Sequence, residues 1–141
     1  MSDTNHIKAN IIEAYYLQAG NELDSSFQIA SGILEQSEKL GYKKGIAAAC
    51  MRLGSLYNLK GKNDTALYFM QRCYRLRREL KDYEGATGAC YQLSYIFKEQ
   101  GKIDSAYFVL FQALRLTSLS GDSAAKAYTL NELGYLSMDY N

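Results

Sequence analysis

The stretch Ala47–Arg75, AAACMRLGSLYNLKGKNDTALYFMQRCYR, decides how the whole chain reads, because its pattern returns forty residues later. Gly45/Gly85, Ala49/Ala89, Cys50/Cys90, Leu53/Leu93, Gly61/Gly101, Lys62/Lys102, Asp64/Asp104, Ala66/Ala106, Arg75/Arg115 and Leu76/Leu116 are identical. Where the letter changes, as at Leu56/Ile96, Tyr57/Phe97, Thr65/Ser105 and Met70/Leu110, the chemical class is kept. Self-similarity at a fixed period of this size is the mark of a stacked array of helix pairs.

Working outward, the same frame covers nearly all 141 residues. A first, diverged copy occupies about residues 3–40, with Ser26 where Ala66 and Ala106 stand later; further copies fill 41–80 and 81–120. Residues 121–141 form a half copy in which Leu133-Gly134-Tyr135-Leu136 follows Leu53-Gly54-Ser55-Leu56 by eighty residues. The returning helix of that last copy is missing, so the chain is expected to be a single repeat domain truncated at its C-terminus.

Helical spacing of apolar residues predicts helices over Asp3–Gln18, Leu23–Leu40, Lys43–Lys60, Asn63–Leu80, Tyr83–Gln100, from the Gly101-Lys102 turn back to about Leu119, and Ser123–Met138. Asp3, Thr4 or Asn5 is available to cap the first. Glycine at Gly41, Gly61 and Gly101 marks the turns. Asp64 and Asp104, at the starts of returning helices, suit the positive end of the helix dipole. Cys50, Leu53, Gly54 and Tyr57 share one face of an outgoing helix, and Ala66, Met70, Cys73 and Tyr74 one face of the returning helix. Gly54 permits close approach of the two. No hairpin buries its own apolar face, so neighbouring copies have to stack.

Composition excludes several function classes. Sixteen Lys and Arg against fifteen Asp and Glu leave a net charge of +1, with no polybasic arm to bind nucleic acid or a membrane surface. Proline is absent where ordinary usage would supply about seven, which suits helices joined by glycine. Three widely spaced cysteines make neither a disulfide framework nor a metal-ligand set, and read as buried thiols of a reducing compartment. No window resembles a signal peptide or a membrane span, so a cytoplasmic location is expected. His6 is the one histidine and lies near the N-terminus, and the carboxylates are scattered; no enzymatic constellation, metal site or cofactor is expected.

The run Leu53, Gly54, Tyr57, Gly61, Ala66, Met70, Cys73 resembles the motif of the tetratricopeptide repeat (TPR) family. The next copy matches it with Leu93, Ser94, Phe97, Gly101, Ala106, Leu110 and Ala113, while the last keeps Leu133 and Gly134 but has Ser137 in place of the tyrosine. The resemblance implies an all-α, right-handed superhelical solenoid of antiparallel helix pairs, with seven helices in about three and a half repeats. The family's usual repeat is shorter, about 34 residues, and often has a proline between repeats. The extra length here falls in 76–84. The longer form looks like the arrays of bacterial regulators, where such repeats precede a histidine kinase or helix-turn-helix domain or bind signalling peptides.

In that family the outgoing helices line a concave groove. The resemblance puts Tyr15 and Gln18, then Met51, Ser55 and Asn58, then Tyr91, Tyr95 and Lys98, and finally Asn131 and Tyr135 into it. This is a tyrosine-rich, nearly uncharged surface suited to a protein or peptide partner. Some of these rings can instead pack between adjacent helices. The family's lysine and asparagine clamp for a C-terminal carboxylate is not expected, since Met51 and Ser55, then Tyr91 and Tyr95, hold those positions. The basic run Arg72, Arg75, Arg77, Arg78, Lys81 reads most simply as a solvated face with local ion pairs. Two roles are compatible with these features: a peptide-binding scaffold, or the sensory segment of a larger signalling protein. Leu130 and Leu133, on the helix lacking its returning mate, are expected to be incompletely covered and to pair two copies into a homodimer.

Overall fold

A computed structural model describes residues 2–140, with side chains described for 4–18 and 20–139. Among the described residues seven α-helices follow in order: α1 (Ser2–Ala19), α2 (Leu23–Leu40), α3 (Lys43–Leu59), α4 (Asn63–Glu79), α5 (Tyr83–Glu99), α6 (Ile103–Ser120) and α7 (Ser123–Tyr140). The same residues contain no strand. The starts of α2, α4 and α6 advance by forty residues, and so do those of α3, α5 and α7.

The reversals have one physical cause. A left-handed residue stands at every junction: Asn21, Gly41, Gly61, Lys81, Gly101 and Gly121, with φ between 56° and 72°. It turns the chain so that the next N–H reaches back five residues, as Tyr42 N–H does to Ser37 O (2.8 Å) and Lys102 N–H to Phe97 O (2.8 Å). Nothing lies within 4 Å of a Cβ built at Gly41, Gly61, Gly101 or Gly121, so backbone angle and not crowding selects glycine there. Lys81 holds the same conformation with a full side chain.

The starts of α2, α3, α4, α5 and α7 fall at the expected residues, and α1 starts one residue early. α1 begins at Ser2, which places Asp3, Thr4 and Asn5 inside the helix instead of at its cap. Asp64 and Asp104 lie in the first turns of α4 and α6, at the positive ends of those helix dipoles as expected, and the N-cap residue of α6 is Lys102, without a side-chain capping bond. Asp82 and Asp122 act as capping carboxylates: Asp82 accepts from Gly85 N–H and Asp122 from Ala125 N–H, each at 2.9 Å.

The helices group into two compact units, Met1–Leu76 and Arg77–Asn141. In the first, Ile7 and Ala14 of α1 pack with Ile33 of α2 and Ala49 of α3. Ala30, Leu53 and Leu56 form a second cluster, walled by the rings of Phe27, Tyr57 and Phe69; Tyr57 meets Phe27 edge-on at 4.9 Å and stacks on Phe69 at 5.6 Å. Ser26 fits where later copies have alanine because it is fully buried and its hydroxyl donates to Ala14 O at 2.9 Å. Gly54 faces α4 so closely that an added Cβ would lie 2.8 Å from Met70 Cε and 2.9 Å from its Cγ. Arg72 of the basic run reaches back to Glu38 at 2.7 Å.

In the second unit α5, α6 and α7 enclose Ala106, Leu110, Leu133 and Leu136, with Tyr91, Phe97 and Tyr107 against them. Leu133 is therefore buried, contrary to the expectation that it is poorly covered, because its side chain points to α5 and α6. Leu130 is half exposed, as expected. Tyr107 Oη and Ser137 Oγ, 2.8 Å apart, tie α6 to α7; in that copy a serine stands where the two preceding copies have Tyr57 and Phe97.

Candidate functional site

In the first unit the site residues foreseen from sequence lie on α1 and α3. Tyr15 is 56% exposed; Gln18, Met51, Ser55 and Asn58 are half-buried. Tyr15 and Gln18 are joined by a residue the sequence reading left out, Arg52. Its guanidinium sits 5.0 Å from the Tyr15 ring centroid and its Nη1 donates to Gln18 Oε1 at 2.6 Å. Burial lowers the Arg52 pKa while Tyr15 acts in the opposite sense. Asn58 Oδ1 is buried without a hydrogen-bond partner among the described residues.

In the second unit the foreseen residues lie on α5 and α7. Tyr91 is half-buried: its Oη is 2.7 Å from Thr129 Oγ1 and donates to Ala125 O at 3.0 Å. Burial pushes this phenol above the ordinary tyrosine value, and the Thr129 hydrogen bond only partly opposes it. Tyr91 is thus one of the rings that pack between helices. Tyr95 and Tyr135 are 49% and 62% exposed, and Asn131 is exposed with them. A hydrogen bond to the Glu99 carboxylate raises the Tyr95 phenol. Lys98 Nζ pairs with Glu132 Oε2 at 3.1 Å, so its charge is matched on the face itself.

Two further residues belong to these faces. Tyr128 is half exposed and meets the Tyr91 ring edge-on at 4.8 Å. Its signal was legible, since 128, 131 and 135 fall at helical spacing. Arg52 and Glu132 occupy one repeat position, eighty residues apart, and each binds the outgoing helix 34 residues before it: Gln18 in one case, Lys98 in the other. Neither face is therefore free of charge: Arg52 stacks on Tyr15 in the first unit, and Lys98 pairs with Glu132 in the second.

Elsewhere the chemistry is quiet. Burial pushes the Cys50 thiol up to about 11 and the Cys90 thiol up to about 12, values that keep them protonated and unreactive at neutral pH. Among the described residues no group of three or more His, Cys, Asp or Glu could hold a metal ion, and no helix is long and apolar enough to cross a membrane. Arg77 of the basic run binds Asp82 at 2.7 Å, in keeping with local pairing.

No protein-family model and no curated protein matches the chain. Solved structures do. A protein of Podosopora anserina designated a kinesin light chain, with nearly identical TPR-like repeats, aligns at a TM-score of 0.74 and 12% identity, covering 93% of this chain and 65% of its own. A substituted form of that protein aligns at a TM-score of 0.77 and 12% identity, covering 98% and 68%. The chain thus spans about two thirds of the length of these structures. Seven helices in alternating series and this structural likeness give one result: the chain has an all-α, TPR-like helical repeat fold.

Proposed function

We propose that the chain is a non-enzymatic scaffold that binds a protein or peptide segment on the tyrosine-bearing sides of its outgoing helices. The observation that carries this reading is the α5–α7 face, where Tyr95, Tyr128 and Tyr135 are each about half exposed or more and Asn131 lies among them. Tyrosines of this kind offer flat apolar area and a hydroxyl while losing little rotamer freedom on binding. The pairing of Lys98 with Glu132 cancels one charge of each sign on the face, and the Glu99 carboxylate beside it is engaged by the Tyr95 hydroxyl. A ligand suited to it is an apolar, hydrogen-bonding peptide held by ring contacts and amide bonds. The α1–α3 face is the weaker candidate, since Arg52 already occupies Tyr15 and Gln18.

Selection of a random peptide library on the immobilised chain, followed by titration of the selected peptides, tests the reading. Tyr95→Ala with Tyr135→Ala is expected to weaken binding by about tenfold or more with the melting temperature preserved, because both rings are largely solvent-exposed. A library that yields no saturable binder, or binders indifferent to this double substitution, would refute it.

A further inference from the structure

The outward side of α6 plays no part in the faces described above. Asp104, Phe108, Phe111, Arg115 and Leu119 succeed one another at intervals of four, three, four and four residues, which lays them along one stripe of the helix. All five are exposed, Phe108 by 65% and Phe111 by 53%. The corresponding stripe of α2 reads Asp24, Gln28, Ser31, Glu35, Lys39, and that of α4 reads Asp64, Tyr68, Gln71, Arg75, Glu79. Every one of those residues is exposed as well. On α2 the stripe stays exposed although α1 and α3 pack on that helix and Arg72 of α4 reaches it. It is the side of a returning helix that its own neighbours leave to water. On α6 alone that side presents two phenylalanines and a leucine, so covering by a neighbouring hairpin is not what those residues serve.

The stripe is also self-complementary. Let two α6 helices lie antiparallel, with a two-fold axis crossing between the levels of Val109 and Leu110. Phe108 then comes level with Phe111 of the second copy, and by the same count Asp104 comes level with Arg115 of the second copy. Four rings form the centre, and an ion pair brackets them at each end, about 16 Å from Asp104 to Arg115 along each helix axis. Neither Asp104 nor Arg115 has an ion pair within the chain among the described residues. The antiparallel arrangement also sets the two helix dipoles in opposition. By contrast α4 keeps the carboxylate and guanidinium at Asp64 and Arg75 but puts Tyr68 and Gln71 at the centre, a frame without the apolar anchor.

We propose that two copies of this chain associate through antiparallel α6 helices, with Phe108 and Phe111 of both at the centre and Asp104 of each against Arg115 of the other. The contact is isologous, so it closes at a dimer. It differs from the homodimer expected from sequence, which relied on Leu130 and Leu133 of α7; Leu133 is buried within its own unit.

Sedimentation velocity over a wide concentration range, with circular dichroism on each variant, tests the proposal on the full chain. The wild-type chain is expected to show a monomer–dimer equilibrium. Phe108→Glu with Phe111→Glu weakens the dimer by about thirtyfold or more while helicity is kept. Asp104→Arg alone sets like charges together and weakens it by about fivefold, and adding Arg115→Asp restores it with the signs exchanged. Leu130→Glu on α7 leaves association unchanged. Four results overturn the proposal: a wild-type chain monomeric throughout, a dimer indifferent to the paired phenylalanine substitutions, no rescue by the charge exchange, or dissociation by Leu130→Glu.

Discussion

Helices α3 and α7 carry the same Leu-Gly step at the same place in the copy, Leu53-Gly54 and Leu133-Gly134, in opposite surroundings. On α3 the glycine is pressed by Met70 of α4, and Ala47 and Cys50 beside it are fully buried. On α7 nothing lies within 4 Å of a Cβ built at Gly134, and Ala127 and Leu130, at the corresponding positions, are exposed. Yet Leu53 and Leu133 are both buried, as are Leu56 and Leu136. One side of an outgoing helix is fixed by the preceding hairpin and the other by its own returning mate. The two sides can be tested separately.

The largest contrast is expected where cover is complete. Met70→Ala removes a side chain with no exposure and should cost about 2–5 kcal/mol in urea unfolding, whereas Leu130→Ala should stay within about 0.5 kcal/mol. Equal losses would mean that α7 is covered as α3 is. Next come the glycines. Gly54→Ala forces its methyl into Met70 and should destabilise by about 1–3 kcal/mol, while Gly134→Ala meets open space and should stabilise by about 0.5–1 kcal/mol through helix propensity. The signs are opposite, so a thermal melt of the two variants suffices.

Helix entry gives a smaller contrast. Asp82→Ala removes a capping bond and the contact with Arg77, for about 1–2 kcal/mol, against about 1 kcal/mol for Asp122→Ala, which removes the cap alone. The smallest effect is absent at neutral pH. Cys50 and Cys90 hold the position that Leu130 holds on α7, and burial raises both thiols from 9, to about 11 and about 12. An acid with a raised folded pKa keeps its proton longer when folded, so its contribution is whole below pH 9 and declines as pH climbs through those values. The Tyr91 phenol, also raised, adds to the same alkaline loss. Urea melts at rising pH should show stability falling above pH 9, and less steeply in Cys50→Ala.

Helix positions were legible in the sequence because each depends on local chemistry repeated at fixed intervals. The apolar period names the buried side, and Gly41, Gly61 and Gly101 mark where a left-handed angle is needed. Lys81 gave no such signal, since lysine has no preference for that angle. The candidate faces were legible in part. Tyr95, Asn131 and Tyr135 are exposed on α5 and α7 as the register demands, but Tyr91, four residues before Tyr95, turns its hydroxyl to Thr129. Which neighbour a tyrosine finds depends on a residue 38 positions away, and helical spacing cannot carry that. Arg52 was missed for a related reason: an arginine one residue from the core leucine reads as solvated until Tyr15 and Gln18 are seen beneath it.

Lys81 adopts an angle that costs a residue with a Cβ about 1–2 kcal/mol. The carboxylate of the next residue grips both sides of the bend, Arg77 before it and Gly85 after it. The turn between α4 and α5 therefore works as a loaded spring with a latch. One codon suffices to relax either part, Lys81→Gly unloading the spring and Asp82→Asn slackening the latch, without touching a single core residue.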